Sequence, residues 1–442
     1  MALFDTVVVY TSSRLYQMMR LKAMFSSERG SYFRQNFVRI AKANIFSQIL
    51  LLAFMPLLTR LYGPEAFGIA ALFTTALQIT GSVCTWRFDR ILPNTSNRQA
   101  AAAVWAIGLG ILLFFVFVCA VVLMLSPSAL NTWQGYAILG SLMLYLPIAL
   151  SGTGIQQLFR GWYARESNLA SISKARITQT CSYLFIAICI GAIGTEQNGL
   201  IIAASLSVCI PVATLWKYSD SLSSKLQHLN VKKIQVVAKQ HIGQASLAAV
   251  VALVNVTSLT APVILLSQLY SAAELGWYAL MYRVVTTPLG TIMNALSISF
   301  WSRSAELIRH KKSTQALQLY LSITKKMLVP AILVVLFAIV APYLIPVLFS
   351  AEWDGAGRVL QATTPMLIGY TLFSATNHLI VLRRQGLQLI ADGLRLCLML
   401  LSILSAHELN WDFETAVLAL SISSFFGHLC LFGIHIAVHK RL

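Results

Sequence analysis

The sequence predicts an all-α polytopic membrane protein: twelve transmembrane helices in two pseudo-symmetric six-helix bundles, with both termini cytoplasmic. Three observations lead there. Of the 442 residues, 57% are hydrophobic and 11% charged, where a soluble domain has about a quarter charged; the mean hydropathy is +0.72. The apolar residues fall in runs of about 20, the length that crosses a bilayer as a helix. The cations sort to one side of those runs. This composition excludes a soluble globular protein, a disordered chain and a disulfide scaffold. The weak period-two alternation of a membrane β-barrel is missing.

An N-terminal arm, 1–40, carries no span. Its apolar stretch Val7–Tyr10 is too short for a signal-peptide core, so the first span must direct insertion. Met24 is an alternative start. The first bundle, 41–217, has spans at 41–60, 67–86, 100–125, 135–158, 175–193 and 198–217. A basic linker, 218–241, leads to the second bundle, 242–438, with spans at 242–268, 273–300, 327–350, 357–378, 386–405 and 415–438, before a tail at 439–442.

With these spans, 28 of the 33 Lys and Arg fall on the side of the N-terminus. Arg60 and Arg358 alone fall opposite, and Lys42, Arg283 and Arg395 fall within spans. Cations accumulate in cytoplasmic loops, so the split fixes the orientation. The net charge of +18 therefore reports topology and contact with anionic membrane lipids. It gives no support to nucleic-acid binding. The loops opposite are short, which argues against an external catalytic domain.

Chemistry-bearing motifs are absent from the chain. It has no phosphate-binding G-x-x-x-x-G-K-[ST] loop, and His407-Glu408 lacks the second His of a zinc motif. The seven cysteines lie inside spans without C-x-x-C spacing, as small packing residues do. No catalytic residue, metal ligand or cofactor is expected. A long set of membrane helices with none of these points to a transporter.

An internal echo strengthens the two-bundle reading. Leu61-Tyr62, Gly68 and Ala71-Leu72 return as Leu269-Tyr270, Gly276 and Ala279-Leu280, each displaced by 208 residues. A second, weaker echo sets Arg165 and Arg176 against Arg384 and Arg395, displaced by 219 residues. Six spans separate the partners, so the halves insert with the same orientation, as in transporters with parallel repeats. The substrate path then lies between the bundles.

The stretch Pro56–Ala71, PLLTRLYGPEAFGIAA, and the later Arg87-Phe88-Asp89-Arg90-Ile91-Leu92-Pro93 resemble the first hairpin of the polysaccharide-biosynthesis flippases. These are the O-antigen-type exporters of the multidrug/oligosaccharidyl-lipid/polysaccharide superfamily. Residues 272–290, 348–361 and 383–396 resemble the family's second half. The chain departs from the pattern in its long N-terminal arm and at Phe349-Ser350, where the family more often has Gly after the Phe. The resemblance implies a multi-pass protein of the bacterial inner membrane. It would move undecaprenyl-diphosphate-linked oligosaccharide to the outer leaflet for lipopolysaccharide, capsule or exopolysaccharide assembly. A polymerase and a chain-length regulator of the same pathway are the implied partners. The rivals are a cation-coupled multidrug exporter of the same superfamily, a lipid II flippase, and a membrane polysaccharide polymerase or ligase.

Charge inside a span is costly, so each instance is a candidate binding residue. Arg283 lies about ten residues, or about 15 Å, into its span, with no acid within a turn. It either faces a cavity and holds phosphate or an acidic sugar, or it bonds backbone carbonyls. Asp392 and Arg395 share a helix face. They form a structural ion pair, or a gate in which substrate phosphate competes for the Arg. Lys42 can snorkel to headgroups. Asn44 and Gln48 make an i, i+4 polar stripe, and Arg176 stands at the mouth of span 5, where topology alone also explains it. Asn255 and His428 read as helix–helix contacts. Trp86, Trp133, Trp162, Trp277, Trp301 and Trp411 fall near span ends, as interfacial anchors do.

Overall fold

The computed structural model describes residues 42–95, 97–125, 139–166, 168–194, 198–217, 219–226, 229–310, 312–374, 379 and 384–440. Among these every regular element is helical. The N-terminal half contains α1 (Lys42–Ala53), α2 (Met55–Leu61), α3 (Pro64–Gly81), the single turn α4 (Phe88–Ile91), α5 (Arg98–Leu125), α6 (Leu146–Arg165), α7 (Leu169–Ala192), α8 (Gly199–Ser207) and α9 (Ile210–Lys217). A short α10 (Asp220–Leu226) leads to the C-terminal half. That half contains α11 (Val231–Leu266), α12 (Ala272–Arg309), α13 (Ser313–Lys326), α14 (Leu328–Phe349), α15 (Asp354–Phe373), α16 (Gln385–Glu408) and α17 (Phe413–Lys440).

Local chemistry sets the helix starts. Proline opens α2, α3 and α6, where its missing N–H costs no hydrogen bond. Ser271 caps α12 in a capping box with Glu274, which satisfies two otherwise orphaned donors. Asn168 and Asn230 cap α7 and α11 through their side chains.

Among the described residues, eight helices are long and apolar enough to cross a membrane, and nine if α1 and α2, bent by 41° at their junction, count as one. The protein is therefore a multi-pass membrane protein. The remaining long helices, α3, α12 and α15, pack against one another, α3 on α12 and α12 on α15. A helix sheltered by neighbours need not be uniformly apolar, unlike one facing lipid.

Two connectors between predicted spans carry helix among their described residues. The 218–241 linker holds α10 and the first turns of α11, and the 301–326 connector holds the end of α12 and all of α13. Apolar runs mark the limits of the bilayer, and a helix can continue beyond them with a polar surface.

The predicted repeat has a spatial counterpart. A Cβ on Gly68 would lie 1.8 Å from the carbonyl oxygen of Ala272, and one on Gly276 would lie 1.9 Å from that of Pro64. Pro64 and Ala272 are themselves 208 residues apart. Each glycine thus sits on the first turn of the other's helix, the reciprocal pattern of a two-fold contact. The turn before α15 shows the same register. Trp353, at the end of the 3₁₀ turn Ala351–Trp353, packs edge-on against Phe67, with ring centroids 5.1 Å apart. Tyr145, 208 residues earlier, ends the 3₁₀ turn Gly140–Tyr145 and packs on the cluster that contains Leu275.

The core shows where the halves meet. Two hydrophobic clusters draw residues from both halves: Leu72 and Phe73 with Leu275 and Tyr278, and Leu58 and Tyr62 with Ile345 and Trp353. Both seal the face opposite the basic loops. Toward the basic face the cores separate. Trp105, Phe159 and Trp162 form one within the N-terminal half, and Ala391 and Leu431 belong to another in the C-terminal half. The exception is the start of α11, whose Ala245 joins the N-terminal core. There the Trp86 indole N–H donates to Ser246 at 2.9 Å. Trp162 is fully buried in its core, which removes it from the interfacial anchors predicted above. Trp133 lies outside the described residues.

Candidate functional site

A cavity opens among the helices of the N-terminal half. Arg176, seven residues into α7, lines a cavity of about 210 Å³ with Asn44, Gln156, Arg160, Ser173, Gln179 and Leu215. The polar members recur at helical spacing: Gln156 and Arg160 on α6, and Ser173, Arg176 and Gln179 on α7. That periodicity turns them to one side of each helix. Arg160 and Arg176 are open to water, although protein surrounds them.

Arg283 reaches this region from the other half. Its guanidinium carbon lies 5.7 Å from the centre of the Tyr183 ring on α7, within cation–π range. Arg176 feels the charge of Arg283, and Arg160 feels that of Arg176. Three arginines on α6, α7 and α12 thus share one field. Among the described residues none has a carboxylate within ion-pair distance. Asp89 attracts Arg160 at longer range, but it accepts a hydrogen bond from Thr85 at 2.9 Å and pairs with Arg90 at 3.5 Å. Arg160 has weak local bonds, to the Gln156 carbonyl at 3.4 Å and to its side-chain oxygen at 3.5 Å. Clustered cations that lack counter-charges will attract anions, and water-excluding walls strengthen the field.

Asp392 and Arg395 occupy a different place, inside the C-terminal half. Arg395 Nη2 lies 3.1 Å from Asp392 Oδ1, its Nε donates to Ser258 Oγ at 2.8 Å, and its Nη1 stands 3.4 Å from His428 Nε2. Asn255 donates to Asp392 at 2.9 Å, and Ser258 Oγ donates to the Asp392 carbonyl at 3.1 Å. His428 Nδ1 faces the Ser424 carbonyl at 2.8 Å. That contact makes Nδ1 the protonated nitrogen and leaves Nε2 to accept from Arg395. Ser258, Asp392, Arg395 and His428 are all buried. A Cβ on Gly427 would lie 2.5 Å from the Arg395 stem, so the glycine makes room for it. The adjoining cavity, about 10 Å³ and lined by Tyr282 and Tyr370 among others, has room for about one water. This network ties α11, α16 and α17 together, and none of its members lines the N-terminal cavity. Arg176 and Arg395, partners in the weaker echo, therefore have different surroundings.

Of the residues singled out from the sequence, Asn44 and Arg176 line the cavity and Arg283 stands beside Tyr183 on α7, while Asp392 and Arg395 do not join them. Lys42 is exposed and Gln48 half-buried on α1, and neither lines the cavity. Arg160, Gln156, Gln179 and Tyr183 were missed. Arg160 lies near a helix end, where orientation already explained a cation. The i, i+4 pair Gln156/Arg160 and the i, i+3, i+6 set Ser173/Arg176/Gln179 were the available signals.

No curated protein matches the chain by sequence. Solved structures share its fold. The lipid II flippase MurJ in an inward closed conformation aligns with a TM-score of 0.66 at 15% identity, covering 90% of this chain and 87% of that one. An inward-facing multidrug resistance MATE transporter of the MOP superfamily aligns at 0.60 with 13% identity, covering 91% and 94%. The Vibrio cholerae MATE transporter VcmN aligns at 0.57 with 16% identity, covering 93% and 98%. These likenesses show a shared helical fold. A family model described as "Polysaccharide biosynthesis protein" matches residues 57–357, most of the chain, and the protein belongs to that family.

Proposed function

We propose that the protein is a flippase. It carries an undecaprenyl-diphosphate-linked oligosaccharide, the repeat unit of an O-antigen, capsule or exopolysaccharide, across the bacterial inner membrane by alternating access. The observation that carries this reading is the clustering of Arg160 and Arg176 at the N-terminal cavity with Arg283 of the other half beside Tyr183, with no carboxylate ion-paired to them among the described residues. A diphosphate needs charge-assisted donors, and arginine forks supply them bidentately.

The basic face is cytoplasmic on this reading, the chain spans the membrane twelve times, and both termini lie inside. The diphosphate and glycan enter the cavity from the cytoplasmic leaflet while the polyprenyl tail stays in lipid. Splitting the contact between α3 and α12 then exposes the head outside. The chain itself does no chemistry on its cargo; a polymerase and a chain-length regulator take the product on. Family membership supports a polysaccharide cargo. The uncompensated positive charge weighs against an exporter of organic cations, which the cavity would repel.

The test is Arg283→Ala in a strain with no other copy of the gene. Surface glycan should fall at least tenfold while the protein still reaches the membrane. Normal surface glycan in that strain would rule out the role of Arg283.

A further inference from the structure

The turn that carries Arg87-Phe88-Asp89 departs from ordinary backbone geometry. Trp86 and Arg87 stand consecutively at φ 49° and 61°, a left-handed region that is costly for any residue with a Cβ. Such strain persists only where the surroundings over-determine it. Here Cys84, Thr85 and Phe88 are fully buried on both sides of it. Thr85 Oγ1 donates to Asp89 Oδ1 at 2.9 Å. The Asp89 carbonyl lies against Gly161, where a Cβ would stand 2.5 Å from it. The strained pair turns one large side chain out of a buried run. Trp86 is 37% exposed, and its indole N–H reaches Ser246 on α11.

α11 is fastened to both halves. At its start Ala245 is fully buried in the N-terminal core with Phe88 and Trp105, and Val237 packs on the same core. Lys233 Nζ stands 3.5 Å from Gln99 Oε1 on α5. Farther along, Asn255 and Ser258 bond Asp392 and Arg395 of the C-terminal half. Ser246 and Asn255 are nine residues apart, about 14 Å of helix. When the halves move, either the start of α11 lets go or the helix flexes between its two anchors. Letting go would take Ala245 and Val237 out of an apolar core and break the indole bond on every cycle. Gentle curvature spread over two to three turns is ordinary in a long helix.

We propose that the Trp86 turn is a permanent fastening: it holds the start of α11 on the N-terminal half in every state, and the C-terminal half rocks about the segment between Ser246 and Asn255. The proposal goes beyond the cargo and rests on the reading above only for the rocking of the halves.

The test uses full-length protein with its exposed cysteines, Cys181, Cys189 and Cys397, replaced by alanine and with Gln99→Cys and Lys233→Cys introduced across the fastening. In one sample the pair carries nitroxides. Trp86→Phe keeps an aromatic ring and removes the donor, so it should shift the distance distribution outward. Ser246→Ala should do the same, and the double variant should go no further, since both remove one bond. A distribution unmoved by either variant would overturn the role of the turn. In a second sample a bismaleimide containing a disulfide bridges the pair, and glycolipid movement is measured in vesicles before and after the bridge is reduced. The rate before reduction should be at least half of the rate after it. A smaller ratio would show that the start of α11 must let go, and would overturn the permanent fastening. If the glycolipid does not move even after reduction, the flippase reading falls, while the nitroxide distances still decide whether the turn holds α11.

Discussion

Ser350 shows how a single position constrains the chain. It adopts φ 117° and ψ 167°, a region open in practice to glycine alone. The family's more frequent Gly at that position has its physical reason there. The strained turn sets Trp353 against the opposite half, where its indole N–H donates to the Thr59 carbonyl at 3.3 Å. Arg395 and Asp392 pose a different question, whether buried charge serves cargo or structure. As a structural pair, Arg395→Met should cost about 3–5 kcal/mol, because it strands a buried carboxylate, and the double variant with Asp392→Leu should recover most of that. Thermal unfolding in detergent measures both. A double variant as stable as wild type yet inactive in transport would return the pair to the cargo path. The sequence singled out Lys42, Arg283 and Arg395 as cations within spans, because burying charge is expensive wherever it occurs. It could not tell a cleft from a helix interface, because Arg283 and Arg395 look alike until the helices are packed. Arg160 escaped notice because orientation and binding both predict an arginine at that helix end.

Among the helices, α3 and α12 form the seal. Their first turns approach closely enough that neither Gly68 nor Gly276 has room for a methyl group, the close packing that small residues permit in membranes. Gly276→Ala should force these turns apart and hold open the face opposite the basic loops. Nitroxide labels at Arg60→Cys and Arg358→Cys report the separation by electron–electron resonance. The distance distribution should shift outward in the glycine variant, and an unchanged distribution would contradict the contact. The 208-residue echo was readable because these glycines are fixed by geometry. The lengths of α11 and α12 and the whole of α13 were not, since hydropathy follows the bilayer and helices such as α13 continue past it with Lys325 and Lys326 in their last turn.

For the whole molecule, the decisive features are a seal at one face, separate cores at the other and an unbalanced positive charge between them. The charge bias of +18 combines two effects. On the proposed orientation most of it is topology, while Arg160 and Arg176, which the topological count also claimed, line the N-terminal cavity with Arg283 beside the same helix α7. The proposed function is transport of a lipid-linked glycan past these arginines. Its most direct measurement is transbilayer movement of undecaprenyl-diphosphate oligosaccharide in vesicles containing the purified protein, scored by an enzyme that modifies only the exposed glycan. Movement should depend on the protein and fall at least tenfold in Arg283→Ala. Movement no faster than in protein-free vesicles would contradict it.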